Sequence, residues 1–269
     1  MKPCFYMVTY HRDILMAEWC LKSIIRFVRG DYSVAVGCPT RDRELAEKHL
    51  RPHIGQCQPG AQLFFFEEPE GKGFVSQECV KSEADLYAPG YSHYLHIDSD
   101  CLFTNPVNIE KFFDPPERGI WFWDSYENRI KENENYAYWR VAVERAVGIE
   151  PSREYMCHFP IVIPASVYSD TRARVARHRG LPFSIYVLSC KSSFPQTYAE
   201  FDTLGWVADM GCHEVAWRHV SDPVPWGANT LAHFWSHGGV DYTMPASGIP
   251  GCNITGRTMR QVATELGLV

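Results

Sequence analysis

Asp98-Ser99-Asp100 ends the run Tyr94-Leu95-His96-Ile97, which places two carboxylates one residue apart where an apolar stretch gives out. Two such side chains can share one divalent cation. Mg²⁺ or Mn²⁺ takes oxygen ligands at about 2.0–2.1 Å and is commonly held by one or two carboxylates plus substrate phosphates, so the pair suits a metal–diphosphate complex. The plain alternative is a polar turn at the end of a strand.

The elements that deliver this pair read as β-α units. Phe5-Tyr6-Met7-Val8-Thr9 has the composition of a buried strand, and Ile14, Ala17, Leu21, Ile24 and Val28 recur at helical spacing as far as Gly30. Ser33-Val34-Ala35-Val36-Gly37 is a second strand, with Thr40 placed to cap a charged helix through Arg43, Leu45 and Leu50. Leu63-Phe64-Phe65-Phe66 is a third strand, a helix is expected from Phe74 to Tyr87, and Tyr94 to Ile97 is the strand that carries the acidic pair. Alternation of this kind predicts an α/β fold with a mainly parallel sheet flanked by helices. Ligands of such sheets bind beyond the carboxyl ends of strands, where Thr9 to Asp13 and Asp98 to Asp100 both fall.

After Phe103 the pattern is less regular. Ile120 to Trp123 reads as a strand, Asn128 to Ala146 as a polar, aromatic and helical stretch suited to a lid or acceptor-facing segment, and Phe159 to Ile163 as a strand. Pro160 puts the pairing of that last strand at an edge or bulge. Ala165 to Arg179 is a helix stopped by Gly180.

Composition sets the outer bounds. A chain of 269 residues with 45% hydrophobic and 22% charged residues is ordinary for a globular protein, and the 18 prolines are dispersed, so one domain over 1–269 is expected. The net charge of −6 argues against a nucleic-acid partner bound through a general basic surface. No apolar run approaches the roughly 18 residues that a membrane span requires. Ten cysteines occur without a C-x-x-C pair, several in apolar segments, which fits a reducing compartment and a cytoplasmic location better than a zinc ribbon. The sequon Asn253-Ile254-Thr255 matters only for a secreted chain.

Taken together, the β-α units, the acidic pair after a hydrophobic strand and a second half behind it resemble a GT-A (Rossmann-like) glycosyltransferase. The resemblance is to bacterial and viral D-x-D transferases with a Q-x-x-x-K helix before the acidic pair and an E-x-[ED] segment followed by Gly after it. Here these are Gln77-Glu78-Cys79-Val80-Lys81 and Glu200-Phe201-Asp202-Thr203-Leu204-Gly205. It implies a nucleotide-donor half at 1–105 and an acceptor half at 106–269. It further implies a nucleotide-sugar donor, UDP-linked, a glycan or glycoconjugate acceptor, and Mn²⁺ or Mg²⁺ as cofactor.

By that resemblance Thr9, Tyr10, His11 and Arg12 form the first loop around the nucleotide, with Tyr10 for the base and Arg12 for phosphate or ribose. Gln77 and Lys81, one helical turn apart, would turn the lysine toward the diphosphate or the sugar; a solvated surface pair is the bland alternative. Asp100 is expected to bind the metal directly, while Asp98 and Ser99 meet metal or ribose. A histidine near the C-terminus is the further ligand, and His237, before a Gly-Gly loop, is preferred to His233, which falls within a strand. Glu200 or Asp202 would take the acceptor hydroxyl proton in an inverting reaction, with Asp202 preferred, although acids are favoured in the first turn of any helix. His158, Trp121, Trp123, Trp206 and Trp235 could stack on sugars but are more ordinarily core.

Two other readings compete. A haloacid-dehalogenase-like phosphatase also uses D-x-D after a strand, but its motif lies near the N-terminus, and no downstream D-D or G-D-x-x-x-D pair is present here. The other is a catalytically inactive nucleotide- or carbohydrate-binding module that keeps the fold.

Overall fold

The computed structural model describes residues 1–57, 60–191, 197–234, 240–241 and 256–269. The chain forms two compact units, each drawn from separated stretches: one from Met1, Glu68–Leu95 and Phe113–Asp222, the other from Lys2–Glu67, His96–Phe112 and Pro223–Val269. The first third of the chain runs β1 (Pro3–Val8), α1 (Ile14–Phe27), β2 (Val28–Arg29), β3 (Ser33–Pro39), α2 (Arg43–His49), α3 (Arg51–Ile54) and β4 (Gln62–Phe66). It continues through α4 (Gly73–Lys81), α5 (Ala84–Tyr87), β5 (His93–His96), β6 (Cys101–Phe103) and β7 (Val107–Asn108). Then follow β8 (Gly119–Ser125), α6 (Tyr126–Glu132), α7 (Tyr136–Val147), β9 (Arg153–Glu154), β10 (Ile161–Pro164) and α8 (Ala165–Arg179). The last elements are α9 (Phe183–Ser189), α10 (Glu200–Met210), β11 (Val215–His219), β12 (Leu231–His233) and α11 (Met259–Glu265).

In the unit that begins at Lys2, β1 pairs in parallel with β3 (Cys4 opposite Ser33) and β3 with β4 (Val36 opposite Leu63). Every residue of β1 and β3 is buried, as expected of parallel strands covered on both faces. A second, antiparallel pair sets Cys101 of β6 opposite His233 of β12. Behind it, Leu102, Ala232 and Phe234 join Met16 and Trp19 of α1 and Met259, Val262 and Ala263 of α11 in one apolar cluster. The capping box of α11, Thr258 with Gln261, fixes the start of that helix.

In the other unit, β8 is central to its sheet, parallel to β11 and antiparallel to β9. Helices α7, α8 and α10 pack on one another. The expected fold class, α/β with a mainly parallel sheet flanked by helices, is the one observed.

Several boundaries differ from the sequence reading. Val28 leaves α1 with an extended backbone (ψ 135) and pairs with Val107 instead. Thr40 does not cap α2; its hydroxyl donates to the Phe66 carbonyl at 3.2 Å, and Asp42 holds the cap position. The helix expected over 74–87 breaks at Ser82 and Glu83 into α4 and α5. The stretch from 128 to 146 is likewise two helices, with Ser125 capping the first by accepting from the Asn128 amide. Pro160 precedes β10 and takes no part in it.

Gly205 has a specific packing cause. A Cβ there would sit 2.3 Å from Cγ of Tyr155, so α10 reaches β9 only because this position has no side chain. Gly205→Ala should lower the unfolding free energy by about 1–3 kcal/mol, the usual range for overpacking, despite the better helix propensity of alanine. Urea melts of the two proteins measure the difference.

Candidate active site

The acidic pair lies just past β5, in the unit that begins at Lys2. Asp98 is half-buried, while Ser99 and Asp100 are each 9% exposed. The Asp98 carbonyl accepts from the Cys101 amide at 3.1 Å, which closes a tight turn into β6. The register of β6 with β12 then sets His233 beside the pair: His233 Nε2 is 3.2 Å from Asp100 Oδ1, and the Phe234 amide donates to the Asp100 carbonyl at 3.0 Å. Single ligand atoms of Asp100, Cys101 and His233 all fall within 4.8 Å of one another.

A third carboxylate belongs to this group. Burial pushes the Asp13 carboxyl up from the ordinary range, Arg12 holds it down, and Asp100 and Asp98 push it up again, so the three acids share one electrostatic neighbourhood. The same two aspartates, after burial itself, raise the thiol of Cys20 on α1. Burial foremost also keeps the Cys101 thiol protonated, so it is a poor ligand for a hard cation, whereas a carboxylate oxygen and an imidazole nitrogen suit Mn²⁺.

The predicted nucleotide loop belongs to the same unit. Thr9 is buried, its amide bonded to the Gly37 carbonyl at 2.9 Å, and its hydroxyl has no hydrogen-bond partner among the described residues. Tyr10 packs edge-on against Phe66. His11 is tied to Asp42 through its amide at 3.1 Å and its ring at 3.4 Å. The Arg12 side chain is 79% exposed, with Nε 3.9 Å from Asp13. His237 and Trp235 lie outside the described residues.

The remaining expected site residues belong to the other unit. Lys81 is no surface lysine: it is buried, its ammonium 3.3 Å from Glu200 Oε1 and 4.9 Å from the ring centre of Phe201. The Q-x-x-x-K and E-x-D segments therefore meet through a buried ion pair, and removing one partner of such a pair typically costs about 3–5 kcal/mol. Gln77 lies one turn earlier on α4 and is half-buried.

Asp202 has a different setting. Its Oδ1 accepts from the Tyr155 amide at 2.6 Å, and Tyr126, fully buried, lies next to it. Burial first, and then the neighbouring Glu154 carboxylate, push Asp202 well above the usual carboxylate range; the Tyr155 amide and the Tyr126 hydroxyl pull the other way and do not win. Glu154 is held by the Met156 amide at 2.9 Å, the Cys157 thiol at 3.0 Å and Arg129 at 3.4 Å. Neither Glu154 nor Asp13 belongs to a recognisable motif. The signal that could have found Asp13 is its place at the end of the β1–α1 loop.

Most of the aromatic candidates prove to be structural. Trp121 and Trp206 are buried, His158 stacks edge-on against Phe122, and Arg153 covers the Trp123 ring at 4.2 Å. A cavity of ≈ 360 Å³ in the same unit, lined by His93, Ser166 and His213 among others, involves none of the expected site residues.

No family model and no curated protein matches the chain. Among solved structures it is similar to the apo form of mouse xyloside xylosyltransferase 1, with TM-score 0.40 and 11% sequence identity over 81% of this chain and 85% of that one.

Glu78 gives this region a distinctive pH response. It is 1% exposed; burial first, and then Glu200, raise its proton affinity well above normal, with Lys81 and the Thr197 hydroxyl at 3.3 Å opposing. A carboxyl whose folded pKa is raised stabilises the fold fully below the unfolded value of about 4.3 and loses that contribution as pH climbs toward the folded value. The native protein is therefore expected to lose Tm as pH rises above about 4.3, and Glu78→Gln should flatten that fall, read by calorimetric melts over a pH series.

Proposed function

We propose that this protein is a metal-dependent glycosyltransferase that moves a sugar from a nucleotide-sugar donor, UDP-linked, to a glycan or glycoconjugate hydroxyl with inversion. The observation that carries the reading is the buried contact between Asp100, in the turn after β5, and His233 of β12, with Asp98 and Asp13 close by. An oxygen ligand just before β6 and a nitrogen ligand on β12, its antiparallel partner, with further acids nearby, make a setting for Mn²⁺ or Mg²⁺.

In this reading Asp100 and His233 hold the cation, and Asp98 with Ser99 meets its water shell or the donor ribose. When bound, the cation supplies charge neutralisation on the departing nucleoside diphosphate. The Thr9 hydroxyl, without a partner among the described residues, is suited to a contact with the nucleotide-sugar, and exposed Arg12 is suited to phosphate. Tyr10 would have to turn out of its packing to reach a base. Gln77 acts on the donor side with Lys81, whose ammonium would have to exchange Glu200 for phosphate.

Of the two acids on α10, Asp202 is the general base. Glu200 is committed to Lys81, whereas Asp202 has no cation in contact among the described residues, and burial with the neighbouring Glu154 raises its proton affinity. Apart from His233, the donor contacts come from residues 1–105, and 106–269 supply the acceptor side in this scheme. The nine described cysteines form no disulfide, which supports a reducing, cytoplasmic setting. No helix among the described residues is long and apolar enough to cross a membrane.

Titration calorimetry with UDP in the presence and absence of Mn²⁺ tests the metal centre. Asp100→Ala should abolish the Mn²⁺-dependent part of UDP binding, and His233→Ala should weaken it by about 10–100-fold; unchanged affinity in Asp100→Ala would end the reading. Retained affinity in His233→Ala alone would return the ligand role to His237.

Slow hydrolysis of a panel of nucleotide sugars tests the chemistry. Asp202→Asn should keep Mn²⁺–UDP affinity while transfer to acceptor falls by about 10²–10⁴-fold. Phosphate release from simple monoesters without nucleotide affinity would instead identify a phosphatase, and binding without turnover an inactive module.

A further inference from the structure

The net charge of the chain is −6, yet the twenty residues from Arg172 to Lys191 hold five Lys and Arg and no Asp or Glu. They form the second half of α8, the turn at Gly180 and helix α9. Arg172 is consumed by a two-pronged ion pair with Asp85, and Arg174 lies over the Trp206 ring. Arg177, His178 and Arg179 in the last turn of α8 are exposed.

Large aliphatic side chains are exposed next to residues that these cations touch. Leu181 is 43% exposed, Ile185 55% and Ile149 49%. Contacts within the unit join them to the cations: Arg179 covers the Tyr186 ring next to Ile185 and donates to the Arg145 carbonyl at 3.3 Å, and the His178 ring sits against Gly148, next to Ile149. Of the acids on this rim, Glu150 is bonded to Arg140 at 2.9 Å and Glu144 is a turn further back on α7.

Cations at a helix C-terminus complement the helix dipole, and that alone would explain Arg177 and Arg179. It does not explain three exposed aliphatic residues around them. Nucleic acid would use the arginines on phosphate and gain nothing from isoleucine or leucine. Aliphatic side chains set among arginines match the boundary of a bilayer, where acyl chains begin below a layer of phosphates. We propose that this face docks on the surface of an anionic phospholipid membrane, with Leu181, Ile185 and Ile149 entering the interface and Arg177 and Arg179 meeting headgroup phosphates.

Co-sedimentation of the full chain with phosphatidylserine–phosphatidylcholine vesicles, with phosphatidylcholine vesicles and with single-stranded RNA tests this. The protein should bind the anionic vesicles, release on added salt, and bind phosphatidylcholine alone much less. Arg177→Glu/Arg179→Glu should weaken vesicle binding by at least about tenfold, and Leu181→Ser/Ile185→Ser should weaken it comparably at unchanged Tm, since both of these side chains are about half exposed. Absence of vesicle binding, or binding that neither double variant alters, overturns the proposal. Binding to RNA that is lost only with the arginines, without vesicle binding, assigns the face to a nucleic acid instead.

Discussion

A carboxylate taken out of water must find a proton, a cation or several donors, and that constraint organises both units of this protein. Asp100 meets it through His233. The contact exists because β6 and β12 run antiparallel with Cys101 opposite His233, and because the Phe234 amide closes on the Asp100 carbonyl. The strand pair is seated by the apolar cluster of Leu102, Ala232 and Phe234 with α1 and α11. Hydrophobic packing on one side thus fixes a polar contact on the other, and a side chain from far along the sequence is held against the acidic turn.

The other unit meets the same constraint in two contrasting ways. Lys81 and Glu200 neutralise each other as a buried pair, with Phe201 beneath the ammonium. Glu78, Glu154 and Asp202 are more weakly served, and burial raises the proton affinity of each. Arg129 stands 3.4 Å from Glu154 and still does not offset its desolvation. The result is a set of acids with raised proton affinity, of which Glu154 and Asp202 are held by backbone amides after β9 and Glu78 by the Thr197 hydroxyl.

Much of this arrangement was legible in the sequence where short-range signals decide the outcome. Helix α8 has the expected limits, since Gly180 takes the left-handed conformation (φ +65) that stops it. Strands β1, β3, β4 and β5 were legible as apolar runs, and the place of the acidic pair just past β5 followed from them. Tertiary pairing decided the rest. Val28 fits the helical spacing but is taken by Val107, and Thr40 has a capping side chain that Phe66 claims. Helix α4 ends one turn before Asp85 forms its two-pronged pair with Arg172 of α8. The partnership of Asp100 with His233 depends on a strand register that no local pattern encodes. Lys81 was read from its spacing as a ligand contact or a solvated lysine, and burial against Glu200 is a third state that one helix in isolation does not reveal.

The two acids of the E-x-D segment show how position along one helix separates chemical roles. Both lie in the first turn of α10, two residues apart, so their side chains diverge by roughly 200° around the helix axis. Glu200 turns to Lys81 on α4, and Asp202 turns to the Tyr155 amide beside β9. The Lys81 ammonium stands 3.3 Å from Glu200 and ties that side chain to α4. Asp202 faces Glu154, and two carboxylates in one dry pocket resist ionising together, so a proton delivered there meets a group with raised affinity for it. The same helix therefore presents one acid paired with a buried ammonium and one held by a backbone amide, and Gly205, which lets Tyr155 approach α10, secures the second.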